Sequence, residues 1–286
     1  MSWDDLRTGI EFWSARPEEE LRRHRHELLP LLQRFLQALS RGQLRVATPE
    51  PDGSWHIHPW IRAGIVLCFR AGQLREYTLG EWHFTDVDTL SLRWFSPEDR
   101  VRLVPGGSAV RLGAYVAPGV VCMPPMYINI GAYVDEGTMV DSHALVGSCA
   151  QIGKRVHISA GTQIGGVLEP PHARPVIVED EVFLGANCGL FEGVLVRRRA
   201  VLAAGVQLTA TTPVYDLVRE QILTGTPDAP VEIPEAAIVV PGVRALPSAF
   251  ARMYGLGIAT PVIVKYRDSR TEARVALEEA LRRMFR

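Results

Sequence analysis

The sequence predicts a mainly β fold: a parallel β-helix of hexapeptide repeats, with a mixed, mostly helical N-terminal domain and a C-terminal cap of strands and a helix. An aliphatic or small apolar residue recurs at every sixth position from Val110 to Ile164 and again from Val178 to Val214. Four positions after most of these lies a small or β-branched residue. Neither a helix (period 3.6) nor a flat strand (period 2) keeps a six-residue beat on one face. Hexapeptide periods indicate a β-helix, and seventeen repeats at three per coil predict between five and six coils.

Residues 1–100 are predicted to form the N-terminal domain. Residues 17–41 carry an amphipathic pattern typical of a helix that is bent or restarted near Pro30. A hairpin is expected around Asp52-Gly53, followed by a short buried helix from Trp60 to Phe69.

The solenoid is predicted over residues 101–216. A Pro- and Gly-rich stretch at 165–175 interrupts the beat and is expected to be a loop, where binding residues tend to lie. Glycines directly after the beat are predicted to make tight corners: Gly147, Gly153, Gly165 and Gly185. Residues 217–286 are expected to cap the open end with strands in IVVPGV and PVIVKY and a final helix. That helix has a capping box at Ser269 and Glu272 and an apolar face of Val275, Leu277, Leu281 and Phe285.

Composition narrows the class of partner. The net charge is −1 and the pI is near 6.7, which favours neither nucleic acid nor an anionic membrane as a partner. The N-terminus lacks a signal-peptide pattern and no run of eighteen apolar residues occurs, so we expect a soluble, cytoplasmic protein. The four cysteines form no C-x-x-C pair and are predicted to be reduced thiols in the core: Cys68, Cys122, Cys149 and Cys188.

Polar residues at corners are the candidates for chemistry. Asn129, Asp135 and Asp141 lie directly after the beat, where an Asp either satisfies backbone N–H groups or lines an outer groove. Arg102 and Arg111 flank VPGGSAV, and a guanidinium suits bidentate recognition of a carboxylate.

No metal site is expected. His143, His157 and His172 are spaced 14 and 15 residues apart, which does not converge on one ion as zinc requires. We expect the first two on the coil surface and the third in the loop.

Residues 123–170, which include GAYVDEGTMVD and VGSCAQIGK, closely resemble the 2,3,4,5-tetrahydropyridine-2,6-dicarboxylate N-succinyltransferases of the diaminopimelate route to lysine. The likeness extends upstream through HPWIRAGIVLCFR and RLVPGGSAVRLGAYV, and downstream through TPVYDL and PVIVKYRDSRTEARVAL.

The resemblance implies a left-handed β-helix and a homotrimer with active sites between subunits. An apolar outward stripe that includes Tyr115, Ile130 and Met139 would favour such association. It also implies succinyl transfer from succinyl-CoA, as co-substrate, to the amino group of ring-opened tetrahydrodipicolinate, with no permanently bound cofactor. Arg102 matches the substrate-binding arginine of the family and Asp141 matches its substrate-contacting, catalytic aspartate.

One departure concerns catalysis. Family members often carry two glutamates three apart where this chain has Gly189 and Glu192, so Glu192 is the remaining candidate beside Asp141. Arg111 is a second candidate for substrate binding. Gly185, Ala204, Gly205 and Lys265 are predicted to contact CoA. Three alternatives stay open: a hexapeptide acyltransferase using acetyl-CoA or another amine, a metal-dependent hydratase like the γ-class carbonic anhydrases, and a trimeric solenoid without catalysis.

Overall fold

The computed structural model of the chain describes residues 2–268, so the predicted final helix from Ser269 lies outside the described residues. Within them, no helix combines the length and the apolar character needed to cross a membrane.

The N-terminal domain packs four helices beside two hairpins. Its elements are α1 (Trp3–Ser14), α2 (Glu18–Arg23), α3 (Arg25–Ser40), β1 (Ala47–Pro49), β2 (Trp55–Ile57), α4 (Pro59–Ala71), β3 (Leu74–Leu79) and β4 (Trp82–Val87), with a 3-10 turn at Pro97–Asp99. The hairpin at Asp52-Gly53 and the helix at 60–69 are as the sequence predicts. The break in the helical stretch falls at His24 rather than at Pro30, which lies inside α3.

Three parallel sheets form the solenoid, each one strand per coil. Sheet A contains β7 (Tyr115–Val116), β10 (Tyr133–Val134), β13 (Gln151–Ile152), β16 (Ile177–Val178), β19 (Leu195–Val196) and β24 (Glu232–Ile233). Sheet B contains β5 (Arg102–Leu103), β8 (Val121–Cys122), β11 (Met139–Val140), β14 (His157–Ile158), β17 (Phe183–Leu184), β20 (Val201–Leu202) and β25 (Ala237–Ala245). Sheet C contains β6 (Ala109–Val110), β9 (Tyr127–Ile128), β12 (Leu145–Val146), β15 (Gln163–Ile164), β18 (Gly189–Leu190) and β21 (Gln207–Leu208).

The six-residue beat faces inward, as predicted. Every beat residue from Val110 to Val214 is at most 2% exposed, and regular coils pair residues 18 apart, such as Val134 with Ile152. Because the chain runs from sheet B to C to A, it makes three edges, which we call the B–C, C–A and A–B edges. Two excursions interrupt the coils, and both leave from the C–A edge: Ile152 pairs with Val178, and Val196 with Ile233.

The stacked coils extend past the predicted boundary at 216. β24 and the start of β25 still stack on β19 and β20. The beat residue Val214 instead belongs to β22 (Val214–Asp216), which leaves the coil and pairs with β23 (Gln221–Leu223) and β26 (Gly257–Tyr266). Burial alone therefore cannot distinguish a coil strand from a strand of the cap.

The glycines after the beat have a different purpose from the one predicted. Positive φ occurs two positions later, for instance at Gly113 and Gly131, so those residues make the corners. A Cβ on Gly147 would lie 2.3 Å from Gly166 N, and one on Gly185 would lie 2.5 Å from Ala204 N. These glycines permit close stacking of successive coils.

The N-terminal domain covers sheet A and the C–A edge. Ile130 and Cys149 are fully buried among its helices, while Tyr115 stacks on Tyr133 with ring centroids 4.6 Å apart. Ile130 and Tyr115 are therefore not part of an exposed stripe, because the chain's own helices and strands occupy that side. Met139, on sheet B, is half-buried and lies outside this cover.

The C-terminal residues extend sheet B beyond the last coil. β25 and β26 form a long antiparallel arm with α5 (Ala249–Met253) at its tip. At the arm's base, buried Asp216 accepts hydrogen bonds from the Tyr266 hydroxyl and from the N–H groups of Val218 and Arg219. Burial alone would raise the pKa of Asp216, but these bonds outweigh it and lower the pKa, whereas burial and Asp216 raise the pKa of Tyr266 to about 12.

Candidate active site

The B–C edge carries several predicted site residues. Asp141 follows β11, Gly185 follows β17, and Ala204 and Gly205 follow β20, all where the chain turns from sheet B to sheet C. Three stacking steps separate Asp141 from the 204–205 corner, about 14 Å at the spacing of β-strands. The sequence thus identified one continuous edge.

Asp141 is half-buried and has one carboxylate oxygen in use. Its Oδ1 accepts a hydrogen bond from Ser142 N at 2.7 Å, which holds the corner. Asn129 and Asp135 make the same bond to the residue after them, but on the C–A and A–B edges respectively. The three corner residues therefore do not line one groove. Within residues 2–268, Oδ2 of Asp141 accepts no hydrogen bond, so it is available to a ligand.

Arg102 lies on the same side as Asp141. It starts β5 at the first coil, pairs with Val121, and Val121 pairs with Met139, two residues before Asp141. Two strand spacings, about 10 Å, separate the two coils. The Arg102 side chain is exposed and forms no ion pair with any residue that the structure describes.

Backbone donors continue along the B–C edge. At the Asp141 corner the carboxylate itself accepts from the N–H of the next residue. At the next three corners the equivalent N–H groups, of Ala160, Ala186 and Ala204, donate to no acceptor in the described part of the chain. These donors form a row suited to the carbonyl or phosphate oxygens of an elongated ligand.

The row ends at a small cleft of about 200 Å³ beneath the arm. Gly205, Gln207, Gly242 and residues 259–261 are among its lining residues. Gly185 is buried by stacking on Ala203 and Ala204. Lys265 pairs with Ile238 at the far end of the β25–β26 ladder, so the cleft involves residues 259–261 instead.

Arg111 is not brought to Arg102 and Asp141. It follows β6 at the C–A edge, is largely buried, and its Nη1 donates to Asp86 Oδ2 at 2.5 Å. Sequence reasoning missed this partner because Asp86 lies in the unpredicted hairpin β3–β4.

Glu192 also lies at the C–A edge, directly after β18. Its Oε2 accepts a hydrogen bond from Ala210 N at 3.1 Å, a bond that ties two neighbouring corners. Asp141 and Glu192 of one chain are therefore on different edges of the prism. A site that used both would need two copies of the chain.

Gln207 is a site residue that the sequence did not reveal. It projects from sheet C beside Gly189, and its Oε1 lies 2.0 Å from where a Cβ on Gly189 would be. Its Nε2 donates to Asn187 O at 2.8 Å. The Phe191 ring is also close, 2.6 Å from the same Cβ position. The space beside Gly189 is thus filled by an amide and a ring.

The loop at 165–175 joins sheet C to sheet A and is held at both ends. Arg62 of α4 is fully buried and donates to the carbonyls of Pro170 (3.2 Å), Pro171 (3.0 Å) and Ala173. Arg174 donates to Gly193 O at 2.7 Å. Within one chain this loop does not cover the B–C edge.

The thiols and imidazoles add no nucleophile to the edge. All four cysteines are free and buried, as predicted, and burial raises the pKa of Cys122 to about 12 and that of Cys188 to about 11. His157 stacks on Phe183 on sheet B with ring centroids 5.0 Å apart, and His143 is an exposed corner residue. No three side chains of the metal-ligating types converge within residues 2–268.

Two family models match the chain. One, described as tetrahydrodipicolinate N-succinyltransferase N-terminal, matches residues 5–71, and the other, hexapeptide repeat of succinyl-transferase, matches residues 175–210. A Campylobacter jejuni structure named as a 2,3,4,5-tetrahydropyridine-2-carboxylate N-succinyltransferase aligns with a TM-score of 0.45 and 18% identity over 83% of this chain and 62% of its own, too distant for comparison of residues.

Three relatives named 2,3,4,5-tetrahydropyridine-2,6-dicarboxylate N-succinyltransferase align over most of their length. The Rhodopseudomonas palustris protein is 42% identical, covering 90% of each chain. The Albidiferax ferrireducens protein is 43% identical, also covering 90% of each. The Paramagnetospirillum magneticum protein is 41% identical over 99% of this chain and 100% of its own. The resemblance predicted from the motifs is confirmed, and the chain belongs to the 2,3,4,5-tetrahydropyridine-2,6-dicarboxylate N-succinyltransferase family.

Proposed function

We propose that the protein transfers the succinyl group of succinyl-CoA to the amino group of ring-opened tetrahydrodipicolinate. One observation carries this proposal: the half-used carboxylate of Asp141 and the exposed, unpaired guanidinium of Arg102 share one side of a hexapeptide solenoid. Family membership supports the same reaction.

In this proposal Arg102 binds a carboxylate of the acceptor with its guanidinium fork. Oδ2 of Asp141 takes a proton from the acceptor nitrogen as that nitrogen attacks the thioester carbon. The C–N bond forms, a tetrahedral oxyanion develops, and the C–S bond then breaks to release the CoA thiol. Backbone N–H groups at the edge stabilise the oxyanion; loss of one such donor typically costs about 2.7–4 kcal/mol of barrier.

CoA is proposed to lie along the B–C edge. The N–H groups of Ala160, Ala186 and Ala204 would donate to oxygens of its extended arm, and Gly205 opens onto the cleft at the end of the row. Gly205 has φ of +80° and no heavy atom within 4 Å of its Cβ position, so a ligand can approach its backbone.

The active unit is proposed to be a homotrimer of left-handed β-helices in the cytoplasm. Sheets B and C have half-buried outward side chains such as Met139 and Tyr127, and the N-terminal domain leaves them uncovered. In a trimer Glu192 of one copy would join Asp141 of the next and assist with the amine. The four reduced thiols are typical of a reducing compartment.

A second candidate keeps the scaffold and changes the substrates, with acetyl-CoA as donor or another amine as acceptor. The specific observation is the Gly189 position, where the resemblance implies an acid and this chain has Gln207 and Phe191 in its place. An amide there would change which polar group of a substrate is preferred.

The test is release of CoA thiol from succinyl-CoA and from acetyl-CoA, each with and without tetrahydrodipicolinate. We expect release that requires both succinyl-CoA and the acceptor. Faster release from acetyl-CoA would support the second candidate, and no release from either donor would contradict both. Light scattering that gave the mass of a monomer would exclude the shared site.

A further inference from the structure

The largest cleft that we find lies apart from the B–C edge, between hairpin β3–β4 and the first coil. Its volume of about 600 Å³ is within the range typical of small-molecule sites. The lining is mostly apolar and rich in aromatic rings: Tyr77, Trp82, Phe84, Leu90, Leu92 and Trp94. Trp82 and Phe84 are stacked within 8° of parallel, and Trp82 and Trp94 are each more than 70% exposed. This arrangement offers ring faces to a planar apolar body.

One cation lines this cleft, and its hydrogen bonding is incomplete. Of the three Arg111 nitrogens, only Nη1 has an acceptor among residues 2–268, namely Asp86 Oδ2. Nε is buried and has none. The side-on edge of the guanidinium, formed by Nε and Nη2, is therefore left for an acceptor from outside the chain, and that edge suits a carboxylate.

Asp86 does not compete for this edge. Its Oδ2 is paired with Nη1 and its Oδ1 accepts from Val87 N at 2.7 Å, so both oxygens are engaged on the other side of Arg111. The ion pair is neutral as a unit, which makes the attraction for an added carboxylate modest. Stacking on the rings must therefore supply much of the affinity.

We infer that this aromatic cleft binds a small aromatic carboxylate, with its ring against Trp82 and Trp94 and its carboxylate on Arg111. The site does not depend on the proposed succinyl transfer. A flexible dicarboxylate such as the proposed acceptor would leave the ring faces of the cleft unused, so the two ligands differ in class.

The experiment is calorimetric titration of the full chain, without CoA, with three probes. These are 3-phenylpropionate, its neutral analogue 3-phenylpropanamide, and pimelate, which has carboxylates without a ring. We expect 3-phenylpropionate to bind at least tenfold more tightly than either of the others. Equal binding of the amide would contradict the role of Arg111, equal binding of pimelate would contradict the role of the rings, and no binding of 3-phenylpropionate up to about 10 mM, a Kd weaker than about −2.7 kcal/mol, would overturn the site.

Two variants locate the binding. Trp94→Ala removes an exposed ring, so the chain should fold, and affinity should fall at least fivefold; Trp3→Ala, an exposed tryptophan outside the cleft, is the matched control. Arg111→Gln should reduce the affinity for 3-phenylpropionate to that for the amide. If Trp94→Ala instead lowered the oligomeric mass without changing the affinity, the cleft would be a subunit interface and the inference would be wrong.

Discussion

Changing Asp141→Asn separates the chemical role of this residue from its role in the corner. An asparagine can keep the corner bond, because Asn129 already accepts from Ile130 N at 2.8 Å, against 2.7 Å for Asp141 and Ser142. Only the charge contribution to that bond is lost, about 1 kcal/mol of folding free energy or less. The amide, however, cannot take a proton from the amine. We expect kcat to fall about 100-fold, which corresponds to about 2.7 kcal/mol of barrier.

The matched control is Asp135→Asn. Asp135 makes the equivalent bond, to Glu136 N at 2.8 Å, but at the A–B edge. Thiol release and melting temperature are measured for both variants. Similar small losses in melting temperature with a loss of kcat only in Asp141→Asn would support the proposed base. Turnover within threefold of the unchanged protein in Asp141→Asn, or the same loss in both variants, would refute the reasoning.

Three further changes test other residues. Glu192→Gln should lower kcat at least tenfold if Glu192 reaches a neighbouring copy's site, whereas Glu181→Gln, at another corner, should not; an unchanged kcat would leave Glu192 as a corner tie only. The lowered pKa of Asp216 contributes stability above the unfolded pKa near 3.8 that is lost as pH falls through the lower folded value, so acid unfolding of Asp216→Asn should depend less steeply on pH, and identical acid profiles would count against this. Gly185→Ala should destabilise the fold by about 1–3 kcal/mol, because its Cβ would meet the backbone at Ala204 N; urea unfolding measures this, and an unchanged midpoint would contradict the stacking role.

The inward half of the solenoid could be predicted from the sequence because a six-residue beat reports directly which side chains point inside. The beat says nothing about what covers the outward residues. Ile130 was therefore expected at a surface and is buried under the N-terminal helices. For the same reason Val214, which keeps the beat, was assigned to a coil that it leaves.

The candidate site was predictable where one residue supplies both position and chemistry, as for Asp141 and Arg102. Partners that come from distant segments were not predictable. Asp86 reaches Arg111 from a hairpin with no strong strand pattern, and Gln207 reaches the space beside Gly189 from the next coil, 18 residues away. No single-sequence signal marks such neighbours.

Both excursions leave the solenoid at the C–A edge, and this limits how the length of the chain can change. An extra residue inside a coil would turn every following inward side chain outward until the register was restored, so an insertion is tolerated only where the chain already departs from the stack. Ile152 pairs with Val178, 26 residues later and eight more than the regular 18, so the first excursion is a detour between two intact coils. The C–A edge is consequently the place where a foreign peptide can be grafted, or the detour trimmed, without disturbing the arrangement of Arg102 and Asp141 on the other side of the prism.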